Sequence, residues 1–332
     1  MNARAEGPSI WWWAFGYFAA YVPYAALTKA LSSGVFGPRL DGLVVLPLTV
    51  LASTVAMAVF LLATGWWHEA SRGAEGAQRL PRPRGVTALS GLCTAAILVT
   101  TTLAYTFEGV SVVFAMLLMR GGVLLVAPAV DGLSGRRIAA RSWVALALTL
   151  GSLGVVFWGR RGFALPFAAA VDIGVYLAAY FVRLQVMTRA AKQRDAGQSR
   201  RFFVEEQLVA SPLSLLALSV WAWAGQGDAS SRLREGFSAY WGQTVGWVLI
   251  LIGVFSQLTG VFGGLILLDR RENSFSVPVN RASSVLAGVV GASVMWALGL
   301  ARLPGRGEWL GAALLVAALA VLSWPAASAQ KA

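Results

Sequence analysis

FAMLLMRGG, residues 114–122, sets a guanidinium inside a run from Val110 to Val130 that is otherwise almost uncharged and long enough to cross a bilayer. Arg120 would lie near the middle of that run, where an isolated charge is costly unless it is paired or wetted. The pattern around it recurs along the chain, as long apolar runs broken by short basic loops. Of 332 residues, 57% are hydrophobic and 13% charged, and the mean hydropathy is +0.66. A soluble domain carries about 25% charged residues, so the apolar excess reads as lipid-facing surface rather than as a larger core.

The apolar runs predict ten helices, over 9–32, 43–66, 86–106, 110–130, 142–159, 164–187, 204–225, 243–268, 273–299 and 308–325. Nothing at the start resembles a small-residue cleavage site, so the first run is expected to be a retained span. The loops 67–85 and 188–203 are polar and basic. With the N-terminus cytoplasmic, sixteen basic residues fall in the inside loops and tails and seven in the outside loops. That bias predicts both termini inside, in a multi-pass integral membrane protein. The Ala/Arg-rich composition fits a bacterial inner membrane. The net charge of +12 is accounted for by these loops, and no nucleic-acid partner is expected. Cys93 and His68 are the only residues of their kinds, which excludes an intrachain disulfide and argues against a Cys/His metal site.

The two halves echo each other. YFAAY at 17–21 returns as YLAAY at 176–180, and LVVLPLTVLASTV (43–55) as LVASPLSLLALSV (208–220), with Pro47 over Pro212. FAMLLMRGG returns as FSVPVNRAS (275–283), and WVALALTLGSLGVVFW (143–158) as WLGAALLVAALAVLSW (309–324). The offsets run from 159 to 166, and only the third and eighth runs lack a partner. Five runs per half is an odd number, so the halves, 1–159 and 160–332, are expected to be inverted. The expected fold is therefore all-α, with ten transmembrane helices in a five-plus-five inverted repeat. Inverted repeats accompany alternating access about a central site.

This plan resembles the drug/metabolite transporter superfamily over nearly the whole chain. VVFAMLLMRGGVLLVAPAVDGLSGRRI (112–138) is similar to the Met-Leu-Arg-Gly stretch and basic turn of the EamA-like branch that holds chloroquine-resistance-type transporters and solute-carrier-35 members. The resemblance implies a central cavity built by spans one to four and six to nine, with five and ten bracing the outside.

Arg120 and Arg281 are repeat-equivalent, and a guanidinium fork suits carboxylate or phosphate. Each has an alternative as a partner of a nearby acid or of carbonyls freed by the prolines beside it. Tyr21 and Tyr180 are equivalent candidates for the cavity wall or for packing, and Asn280 and Gln257 for substrate or a neighbouring helix. Asp172 is the one acid well inside a run, a coupling carboxylate or an ion-pair partner. Glu205 and Glu206 read as helix-start charges, with Glu206 also a coupling candidate. Lys29 and Arg183 are expected to snorkel from span ends, and GVFGG (260–264) to serve close helix packing.

No nucleophile–base pair, phosphate-binding Gly loop or paired carboxylate points to an enzyme, and no cofactor or metal is expected. The expected function is a secondary active transporter for a small polar, anionic or carboxylate-bearing metabolite. The alternatives are a flippase for a lipid-linked anionic head group and a non-transporting membrane partner or receptor. The expected partners are the small-molecule substrate and the lipid bilayer, with the chain a monomer or homodimer.

Overall fold

The computed structural model describes residues 9–32, 34–37, 39–71, 81–104, 112–158, 166–192, 196–300 and 306–324. Among them the chain is all-helical, with no strand. Eleven α-helices follow in order: α1 Ile10–Ser32, α2 Gly42–Ala63, α3 Gly85–Leu103, α4 Val112–Leu133, α5 Ala140–Trp158 and α6 Phe167–Ala190. The second half holds α7 Ala196–Ala224, α8 Asp228–Ser238, α9 Thr244–Leu267, α10 Asn273–Ala297 and α11 Arg306–Ser323. Five of these, α2, α6, α7, α9 and α10, are long and apolar enough to cross a membrane.

Two differences from the sequence reading have clear causes. Helix α7 begins at Ala196 rather than at 204. The segment read as basic loop is amphipathic: Phe202, Phe203 and Val204 are buried, and Arg201 pairs with Glu205 one turn on. Glu205 and Glu206 therefore lie inside the helix and are not helix-start charges. Helix α8, within an expected loop, buries Ser230, Leu233 and Gly236 on one face. A Cβ on Gly236 would stand 2.3 Å from the carbonyl oxygen of Val44, so only glycine lets α8 lie this close to α2.

The helices interleave across the chain. Helix α1 packs on α9 and α10, and α6 packs on α3 and α4; α2 lies along α9, α3 along α7, and α5 along α11. Helices α2 and α7 touch, as do α4 and α10. Glycines set the closest approaches. A Cβ on Gly91 of α3 would meet the carbonyl oxygen of Glu206 at 2.9 Å, and one on Gly253 of α9 that of Thr49 at 2.4 Å. Gly122, from the stretch quoted at the outset, seats Leu177 of α6. Apolar residues also face outward in helical stripes, Val55, Val59 and Leu62 on α2 and Leu216, Val220 and Trp223 on α7.

Candidate functional site

Where α1, α2, α3, α6, α7, α9 and α10 converge they leave a cavity of about 270 Å³. Its wall mixes apolar side chains such as Val50, Ile97 and Leu267 with polar groups: hydroxyls from Ser53, Thr54, Thr94, Thr101 and Ser211, amides from Gln207, Gln257 and Asn280, and the guanidinium groups of Arg183 and Arg281. Tyr17 and Tyr180 complete one side, and among the described residues no Asp or Glu lies in the lining. Ser53 of α2 donates to Gln257 Oε1 of α9 at 2.6 Å, which fixes the amide across the wall. In the GVFGG run, Gly263 leaves room for Tyr17, whose ring would lie 2.9 Å from a Cβ there. Gly264 does the same for Phe203. These glycines pack helices, as expected, and also face the cavity.

Arg281 sits on α10, 9% exposed, with its guanidinium carbon 5.1 Å from the centroid of the Tyr180 ring. Its buried Nε has no hydrogen-bond partner, and no acid among the described residues pairs with it. A desolvated cation at a cavity wall attracts anionic groups.

Arg120 of α4 makes a similar contact, with Tyr21 of α1. Its Nη2 donates to the Tyr21 hydroxyl, its guanidinium carbon lies 5.7 Å from the Tyr21 ring centroid, and its Nη1 reaches Ser284 Oγ at 3.3 Å. Ser284 in turn donates to the carbonyl oxygen of Arg281 at 2.8 Å, so the two arginines meet through one turn of α10. The rings of Tyr17 and Tyr21 pack in a tilted contact with centroids 5.6 Å apart, and those of Tyr176 and Tyr180 with centroids 4.9 Å apart. Of the expected binding residues, the structure brings Arg281, Tyr180, Asn280 and Gln257 into the cavity lining, while Arg120 and Tyr21 stand behind it.

The acids fall elsewhere. Glu206 is fully buried behind the wall, its two oxygens accepting from Arg183 Nε at 2.8 Å and Nη2 at 3.0 Å, with Ser90 and Thr94 bonding Oε1. Arg183 is thus a buried cavity residue and does not snorkel, because Glu206 neutralises it in place. Lys29 is exposed at the end of α1. Asp172 is buried on α6 with its Oδ2 unbonded; the ion pair offered as its alternative role is absent among the described residues. It does not line the cavity.

Sequence reasoning missed Tyr17, Arg183 and Gln207. The signal for Tyr17 was present, since YFAAY and YLAAY each carry two tyrosines four residues apart, on one helical face. No local pattern singles out Arg183, whose role depends on a partner from α7.

One end of the helix bundle is closed by hydrogen bonds. Asp131, at the end of α4, accepts from the backbone N–H groups of Asn273 and Ser274 at 2.9 and 2.7 Å and from both side chains, capping α10. Lys192, buried just beyond α6, donates to Asn273 Oδ1 at 2.8 Å, Ser276 Oγ at 3.1 Å and the carbonyl oxygen of Arg271 at 3.2 Å. Burial, aided by the Arg136 guanidinium, pulls the Lys192 ammonium down to about 7, against the opposing pull of Asp131, Asp269 and Glu272. Arg136 itself donates to the carbonyl oxygens of Arg270 and Arg271. Among the described residues, no group of three His, Cys, Asp or Glu is placed to share a metal ion.

No family model and no curated protein matches the chain. A solved crystal structure of a protein superposes with a TM-score of 0.61, over 95% of this chain and 97% of its own, at 16% identity. At that identity the likeness shows a shared fold and nothing of function.

Proposed function

We propose that the protein is an integral membrane transporter that moves a small anionic, polar metabolite by alternating access between two inverted five-helix halves. The observation that carries this reading is Arg281, buried at the wall of the cavity with no acid among the described residues beside it. In an apolar helical protein such a charge is retained at a cost, and a bound anion would offset it.

The helix pairing supports the repeat. Exchanging α1–α5 for α6, α7, α9, α10 and α11 turns the α1 contacts with α9 and α10 into those of α6 with α3 and α4, and the α2–α9 contact into α7–α3. The pairs α5–α11, α2–α7 and α4–α10 map onto themselves. Gly91 and Gly253, whose separation of 162 lies among the repeat offsets, give the third and eighth runs the equivalence their sequences lack. The outward apolar stripes fit lipid contact, since a soluble monomer rarely exposes such patches. The loop charges favour cytoplasmic termini in a bacterial inner membrane, and the whole plan fits the drug/metabolite transporter superfamily.

The test is flux. The purified protein reconstituted in liposomes should carry a small carboxylate across the bilayer saturably, and Arg281→Ala should abolish it. Binding of the anion without flux would favour a receptor that has kept a transporter fold.

A further inference from the structure

Among the described residues two guanidinium groups line the cavity, and of these Arg183 is paired with an acid while Arg281 is not. Arg183, on α6, is clamped from behind by Glu206 of α7 through two parallel hydrogen bonds, at 2.8 and 3.0 Å. Glu206 is fully buried and outside the lining, and the hydroxyls of Ser90 and Thr94 on α3 hold it there. Its position is fixed by three helices, so its charge is a permanent feature of the wall. Both guanidinium charges act on the Tyr180 hydroxyl, which places them in one electrostatic neighbourhood. The other polar groups of the lining are hydroxyls and amides, set among Val50, Ile97, Leu98 and Leu267.

We propose that Glu206 sets the charge count of the cavity: by cancelling Arg183 it leaves a single positive charge, on Arg281, and so selects hydroxylated monoanions over dianions. This rests on reading the cavity as an anion site. A monoanion places its carboxylate on Arg281 and its hydroxyls among Ser53, Gln257 and Asn280. A second carboxylate would find only Arg183, whose Nε and Nη2 already serve Glu206, and its desolvation would go uncompensated. The Glu206 carboxylate then acts against the wrong ligand, as repulsive elements do in specific sites. Arg120 stands outside the lining, engaged with Tyr21 and Ser284, and presents no guanidinium face to a ligand in the cavity.

The experiment is thermal stabilisation of the purified full chain by gluconate and by glucarate, which share a six-carbon polyol skeleton and differ by one carboxylate. The wild type should respond to gluconate at lower concentration than to glucarate. Glu206→Gln should move the affinity ratio toward glucarate by about tenfold or more, because an unscreened charge at close range acts on that scale. Arg183→Gln should weaken gluconate, and the double variant Arg183→Gln/Glu206→Gln, with both charges gone, should regain the wild-type preference. If Glu206→Gln does not fold, the comparison of Arg183→Gln with the double variant decides. A wild type that prefers glucarate, an unchanged ratio in Glu206→Gln, or a double variant no better than Arg183→Gln overturns the inference alone. Absence of any anion effect in the wild type overturns the anion reading and this inference together.

Discussion

Arg281 lies over the ring of Tyr180, at 5.1 Å from its centroid, as Arg120 lies beside Tyr21 at 5.7 Å. The first pair joins α10 to α6 and the second α4 to α1, yet only the first faces the cavity. The ring holds the guanidinium plane while leaving Nε without a partner. Arg281→Ala should therefore weaken anion binding by about 30-fold or more, as expected for a charge-assisted contact of on the order of 2 kcal/mol. Arg281→Lys keeps the charge but loses the fork and the stacked plane, and should fall between the two. Equilibrium binding to the purified variants measures this.

Arg120 should separate from Arg281 in a kinetic assay. In alternating access it would serve the mirrored conformation, so Arg120→Ala should lower flux by about tenfold or more while changing binding by no more than about threefold. Equal losses in binding and flux would instead give Arg120 a direct place in the site.

The closed end of the bundle carries a pH dependence. Lys192 is held at about 7 in the folded chain, against an ordinary lysine value of about 10.4. Between these values the unfolded chain binds more protons, so stability should rise with pH across that window and show no Lys192 contribution to the slope below it. Lys192→Met, which removes the titrating group, should flatten the rise. Melting midpoints of both proteins across neutral to alkaline pH provide the comparison.

At the same end, Asp131 accepts four hydrogen bonds from Asn273 and Ser274 while fully buried. Asp131→Ala leaves those donors without partners and should cost on the order of 3 kcal/mol, read as a lower melting midpoint. The variant that tests packing is Gly253→Ala, which forces α9 from α2 and should cost about 1–3 kcal/mol. Gly174→Ala, where nothing lies within 4 Å of the new carbon, is its control and should stay within about 0.5 kcal/mol.

Much of the helical plan was legible because hydrophobic length is a local property. The runs at 43–66, 164–187, 243–268 and 273–299 fall within a few residues of α2, α6, α9 and α10. What escaped was set by partners. The start of α7 depends on Phe202 and Phe203 finding the core, and α8 on a glycine that fits against Val44. Charges behaved the same way. Arg281 and Tyr180 stood out because both sit in repeated motifs, whereas Arg183 and Glu206, 23 residues apart, become a pair only when α6 meets α7. A single sequence marks a buried charge as costly without saying what offsets it.

The central claim is tested most directly by thermal stabilisation of the wild type and of Arg281→Ala against small hydroxylated carboxylates, matched neutral polyols and amines. Ligand that binds only the folded state raises the melting midpoint by mass action. The account predicts shifts with the carboxylates alone, lost in Arg281→Ala although that variant still melts cooperatively. Shifts with amines, or carboxylate shifts that persist in Arg281→Ala, would contradict it.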